Sequence, residues 1–265
     1  MVTLLRRQVK SDRWTILTWC VTVALLTWLV GAMYNVLVDA GAMEDLLRMV
    51  ESVPSAIRVL FGQGGFSLES TFIAQMEYTS LGSIAFVVFL STYVPSLLSK
   101  EIDQRTSEFL LALPVKRTTV LLSRWVGLAI ALFVIAAVQC AAVLLVTGTG
   151  ISPARYLLAG ANMYLLYLDV GTILLLSSVF VDDYPKAAGV SAGIATFLFF
   201  YNGVAGEATG LAASLRRALP FSRFDAVTIL TKGTVPWTDM AVLAVETMVV
   251  LALAVKAFEA KQVTG

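Results

Sequence analysis

The chain has 265 residues, 58% of them hydrophobic and 14% charged, with a net charge of +1. A soluble domain carries about 25% charged residues, so this composition, with a mean hydropathy of +0.83, excludes a soluble enzyme. Near-neutral charge gives no basis for a nucleic-acid partner, and the absence of His excludes imidazole bases and His metal ligands, so no metal site is expected.

The apolar residues are bunched into long runs, which predicts an all-α integral membrane fold of about six transmembrane helices in a single domain, 1–265. Leu4 to Arg13 places Leu5 and Val9 on one side and Arg6, Lys10 and Arg13 on the other, the pattern of a short amphipathic helix lying in the interface. The first span follows at about 14–38. Four basic residues ahead of it predict a cytoplasmic N-terminus. Residues 39–77 hold six acids (Asp39, Glu44, Asp45, Glu51, Glu69, Glu77) against Arg48 and Arg58, fitting a loop on the outer face.

The second span is expected at about 78–98, the third at 125–147, the fourth at 156–181, the fifth at 187–206 and the sixth at 240–255. An even number of spans returns the C-terminus to the cytoplasm. Summed by side, twelve basic residues lie inside and seven outside, in line with this N-in/C-in orientation. Residues 207–239 run against the trend, with Arg216, Arg217, Arg223 and Lys232 on the outer side. The two cysteines, Cys20 and Cys140, both fall in apolar runs and read as small buried hydrophobes.

Between the second and third spans, Glu101, Arg105 and Glu108 share one helical face, and Ile102, Phe109 and Leu113 the opposite one. Pro114 ends the segment. The spacing describes either an amphipathic helix shaped for another protein's groove or a surface connector with a solvated face.

The stretch from Glu101 to Arg117 resembles the segment that follows the second span in bacterial ABC-2-type permeases, through Thr106, Glu108, Leu110, Leu111, Pro114 and Arg117. Many members have Gly where this chain has Arg105. The Leu4–Arg7 element resembles the family's N-terminal elbow helix, Val53–Gly62 its first outer segment, and Leu219–Asp225 the stretch before its last span. The resemblance implies the permease subunit of an ATP-binding-cassette exporter in the cell membrane. It would work as a dimer with a second permease copy, driven by separate ATPase subunits. Arg105 to Leu113 would be the coupling helix, with Glu101, Arg105, Thr106, Glu108, Phe109, Leu110, Leu113 and Pro114 contacting the ATPase. ATP and Mg are expected in that partner and no cofactor in this chain, which has no Gly-Lys dipeptide and hence no phosphate loop.

Span five carries Gly189 and Gly193, a small-xxx-small pair. It suits packing on a helix of the same chain, the favoured reading, or on a second subunit. Asp169 in span four and Glu246 in span six are acids deep in apolar runs, and none of the six spans contains Lys or Arg. Each acid is therefore expected to be neutral, hydrogen-bonded (Tyr164 and Tyr167 are near Asp169), or facing a wet pathway for a cation. On that last reading the two acids would also serve an ion-gradient-driven transporter or channel, the competing function.

Overall fold

A computed structural model describes residues 2–52, 72–103, 116–147, 152–205 and 209–261, and these are all helix, turn or connector. In chain order the elements are α1 (Val2–Asp39), α2 (Met43–Ser52), α3 (Phe72–Gln75), a π-helical turn (Met76–Ser80), α4 (Leu81–Asp103) and α5 (Arg117–Thr147). They continue with α6 (Pro153–Val179), α7 (Tyr184–Val204), α8 (Leu211–Ala218), a 3-10 turn (Pro220–Arg223), α9 (Ala226–Lys232) and α10 (Trp237–Ala260). Six segments are long and apolar enough to cross a bilayer: 5–39, 76–99, 117–147, 153–179, 184–204 and 237–260. Each lies within a few residues of the expected span, except that the first begins nine residues before 14 and α5 eight residues before 125.

α4 and α6 form the centre of the bundle. Phe86, Phe89, Leu90 and Val94 of α4, and Met163, Leu166, Tyr167, Val170 and Leu174 of α6, are all buried. The Phe86 and Tyr167 rings stack at 4.5 Å between them. By contrast α1 turns Trp14, Leu17, Val21, Leu25 and Trp28 outward, and α10 turns out Val245, Met248, Val249 and Leu253. A helix in lipid has no need to hide such residues, so these faces fit contact with acyl chains.

The expected elbow is not a separate helix: α1 runs unbroken for 38 residues. No Gly or Pro interrupts residues 2–13, and side chains of these first turns bond to the bundle. Tyr93 of α4 donates to Asp12 Oδ2 at 2.8 Å. Arg124 of α5 donates to Gln8 Oε1 at 3.4 Å, and a Cβ at Gly127 would meet the Gln8 amide at 2.1 Å. At the other end of α1, a Cβ at Gly31 would lie 2.1 Å from Val146 Cγ1. Glycines at both ends of the α1–α5 contact thus set how closely the two helices approach.

The pair Gly189 and Gly193 does not make the intrachain contact favoured from sequence. Both are exposed, and neither would bring a Cβ within 4 Å of another group. The small-residue seam that α7 does bury is displaced by two positions, along Ala187, Ser191 and Ala195. Helix α7 packs on α4 through that face, which leaves its glycines pointing away.

Candidate functional site

Asn162 and Asp169 are seven residues apart on α6, nearly two full turns, and so occupy one face. Both are fully buried. Against this face, Thr247 of α10 donates its hydroxyl to Asp169 Oδ1 at 3.0 Å. The same hydroxyl lies 2.8 Å from the Leu243 carbonyl. Having one proton, it serves one acceptor at a time. Asp169 Oδ2 and both polar atoms of the Asn162 amide have no partner among the described residues. The hydrogen bond to Asp169 comes from Thr247, on another span, and not from the tyrosines near it in sequence.

Glu246 precedes Thr247 and has a basic neighbour that no span contains. Arg223, from the 3-10 turn, places Nε 3.9 Å from Glu246 Oε2 and Nη1 3.9 Å from Asp239 Oδ1. Asp239 and Glu246 are again seven residues apart, so the arginine lies along one face of α10. At 3.9 Å these are charge contacts and not hydrogen bonds. Side-chain exposure falls from 44% at Asp239 to 27% at Glu246, and Asp169 is fully buried. The arrangement is a polar seam between α6 and α10, open at one end and dry at the other. It holds three carboxylates against one guanidinium.

Arg223 and Arg216, two of the basic residues that ran against the charge trend, thus find specific uses, and Arg155 of α6 finds another. Arg216 Nε donates to the Asn202 carbonyl and side-chain oxygens, each at 3.0 Å. Arg155 Nη1 donates to the Leu230 and Thr231 carbonyls, each at 3.1 Å, closing the end of α9. Beside them is a cavity of about 340 Å³ whose walls include Thr79, Ser83, Phe199, Arg216, Phe221 and Asp225. Phe221 separates it from Tyr167, the two rings meeting edge to face at 6.1 Å. No group of three or more metal-ligating side chains occurs among the described residues.

At the opposite end of the bundle the expected coupling residues Arg105, Thr106, Glu108, Phe109, Leu110, Leu113 and Pro114 lie outside the described residues. Glu101 is in the last turn of α4. The helix that follows them is anchored. Arg117 donates to the Lys261 carbonyl, while the Lys261 ammonium bonds the Asp182 carboxylate and the Val179 carbonyl. Ser99 Oγ donates to the Val181 carbonyl at 2.8 Å. The ends of α4, α5, α6 and α10 are therefore tied together where α4 ends and α5 begins.

Sequence reasoning missed Arg223 and Thr247 as partners of the acids. The signal available was the basic excess in 207–239: charges placed against the topological trend are held there by something.

Six membrane spans, two of them buried at the centre of the bundle, define a multi-pass membrane protein. Residues 11–263 match the ABC-2 family transporter protein family, and the chain belongs to it. It is accordingly a membrane permease component of ABC-type transport, not itself the catalytic subunit. No curated protein matches the sequence.

Proposed function

We propose that this chain is the membrane-embedded half of an ATP-binding-cassette exporter, pairing with a second permease copy in the cytoplasmic membrane and driven by separate ATPase subunits that hold ATP and Mg. The observation that carries this reading is family membership across nearly the whole chain, on a six-span helical bundle. The segment from Arg105 to Leu113 receives the ATPase's motion, and the anchored ends of α4 and α5 pass it to the spans. Family membership favours this over a gradient-driven carrier, which has no use for a docking helix. The α6–α10 seam forms part of the substrate route, its excess of carboxylates favouring a cationic group.

Coupling is tested with Glu108→Lys, which reverses a charge at the ATPase contact, and Phe109→Ala, which removes an apolar anchor. Both variants should reach the membrane and keep their thermal stability. Co-purification of the ATPase and substrate-stimulated ATP hydrolysis should fall. Full co-purification and transport in both would reduce the segment to a connector.

A further inference from the structure

Glu77 lies at the end of the bundle opposite the coupling segment, in the π-helical turn, and is fully buried. The turn widens the helix where Glu77 enters it. Ser83 Oγ donates to the Tyr78 carbonyl five residues back, at 2.8 Å, so the irregular backbone stays satisfied. Glu77 Oε2 lies 3.1 Å from the Gln139 amide nitrogen of α5 and 3.0 Å from the Thr27 hydroxyl of α1, whose single proton also has the Val23 carbonyl within reach at 2.9 Å. That amide nitrogen also reaches the Glu77 carbonyl at 3.1 Å, which occupies both of its hydrogens. Two buried oxygens are left over, Glu77 Oε1 and Gln139 Oε1, and neither has a donor among the described residues.

The described neighbouring groups supply no positive charge. Thr27 is the contact on α1, and Gln139 and Cys140 face the site from α5. Tyr78, the adjacent residue, donates toward the Tyr156 carbonyl of α6 at 3.4 Å. None of the ion pairs among the described residues involves Glu77. An ionised carboxylate here would be a buried charge without a counter-ion among the described residues, beside an amide whose oxygen also lacks a donor among them.

A single proton removes both deficits. Placed on Glu77 Oε1, it is donated to Gln139 Oε1, while the Gln139 amide N–H is donated to Glu77 Oε2. Together these form the cyclic pair that a carboxylic acid makes with a primary amide. We propose that Glu77 is a proton-binding site, and that its proton, shared with Gln139, fastens α1, the π-helical turn and α5 together. Loss of the proton to water leaves a carboxylate against an amide oxygen and releases this junction. The site is separate from the seam, and the inference stands whether or not the transport reading holds.

The experiment compares the full-length wild type with Glu77→Gln in mild detergent. Gln keeps the ring, its N–H replacing the acid O–H, but cannot ionise. On the proposal, the fold holds a proton that the unfolded wild type gives up to water. The fold therefore binds one proton more, and wild-type stability must fall relative to the variant as pH rises, by up to about tenfold in the folding equilibrium per pH unit. A widening gap in unfolding midpoint supports the proposal, and a gap constant with pH overturns it. If Glu77→Gln does not fold, the infrared spectrum of Asp169→Asn/Glu246→Gln decides. With the seam acids removed, a protonated-carboxyl stretch persisting to mildly alkaline pH supports the site, and its absence overturns it.

Discussion

Asp169 and Glu77 are both fully buried acids in membrane spans, yet their surroundings solve the same electrostatic problem differently. The seam containing Asp169 draws a charge into the bundle: Arg223 reaches from outside the spans to Glu246, next to the Thr247 that binds Asp169. The junction containing Glu77 has no such visitor among the described residues, and its hydrogen-bond donors are Thr27 and Gln139. A charge with a partial exit toward water can change partners, as a pathway requires. A neutral acid locked into an amide cannot do so without opening its helices. The first arrangement suits passage and the second suits closure.

The largest effect that separates the two regions should come from glycine. A Cβ at Gly82 would lie 1.9 Å from the Glu77 carbonyl oxygen and 2.2 Å from the Gln139 amide nitrogen. Backbone cannot yield as a side-chain tip does, so Gly82→Ala should cost about 1–3 kcal/mol or more. It should appear as a lower unfolding midpoint in detergent and reduced membrane yield. Gly189→Ala makes the same change where nothing is within 4 Å, and should leave the midpoint nearly unchanged. Equal effects at the two sites would mean that the junction is not closely packed.

A smaller effect on stability, but a larger one on transport, is expected at the seam. Asp169→Asn and Glu246→Gln keep shape and hydrogen bonding while removing charge. If the seam meets a cation, export of cationic substrates should fall about tenfold or more, the scale of one lost charge-assisted contact. Neutral substrates should be spared. Equal losses for both substrate classes, with a lower unfolding midpoint, would assign the acids to packing and remove the functional side of the contrast.

The two regions also differ in how legible they are in the amino-acid sequence. Asp169 stands out because it interrupts a long apolar run, and span assignment by hydropathy rests on such runs. Glu77 sits one residue before the expected start of the second span, at 78, and so is counted with the acidic loop. The π-helical turn carries the helix back over it, and hydropathy has no period that marks such a turn. Helix existence was readable for all six spans. What escaped were contacts set by direction in three dimensions: Arg223 folding back along α10, and α7 burying Ala187, Ser191 and Ala195 while its glycines face out. The elbow was lost for a related reason. The amphipathic pattern of residues 4–13 is the same whether one face meets lipid head groups or Tyr93 and Arg124.

The smallest effect concerns an acid that stays charged, and it sharpens the comparison by running in the opposite direction with pH. Asp183 caps α7 outside the span: its Oδ1 accepts from the Lys186 amide at 3.0 Å, and its Oδ2 pairs with the Lys186 ammonium at 3.3 Å. The backbone N–H bond first, then the lysine's hydrogen bond and charge, hold its carboxyl below the ordinary range. A depressed carboxyl favours the fold once the unfolded chain's Asp is ionised. That contribution is fully present above the ordinary carboxylate range and is lost as pH falls toward the depressed value in the fold. Asp183→Asn keeps a cap acceptor and removes the titration. Its unfolding midpoint should therefore sit slightly below wild type at neutral pH and converge with it in acid. The Glu77→Gln gap, in contrast, should widen toward alkali. Should the Asp183→Asn gap grow instead as pH falls, the cap is not held by the ionised carboxylate.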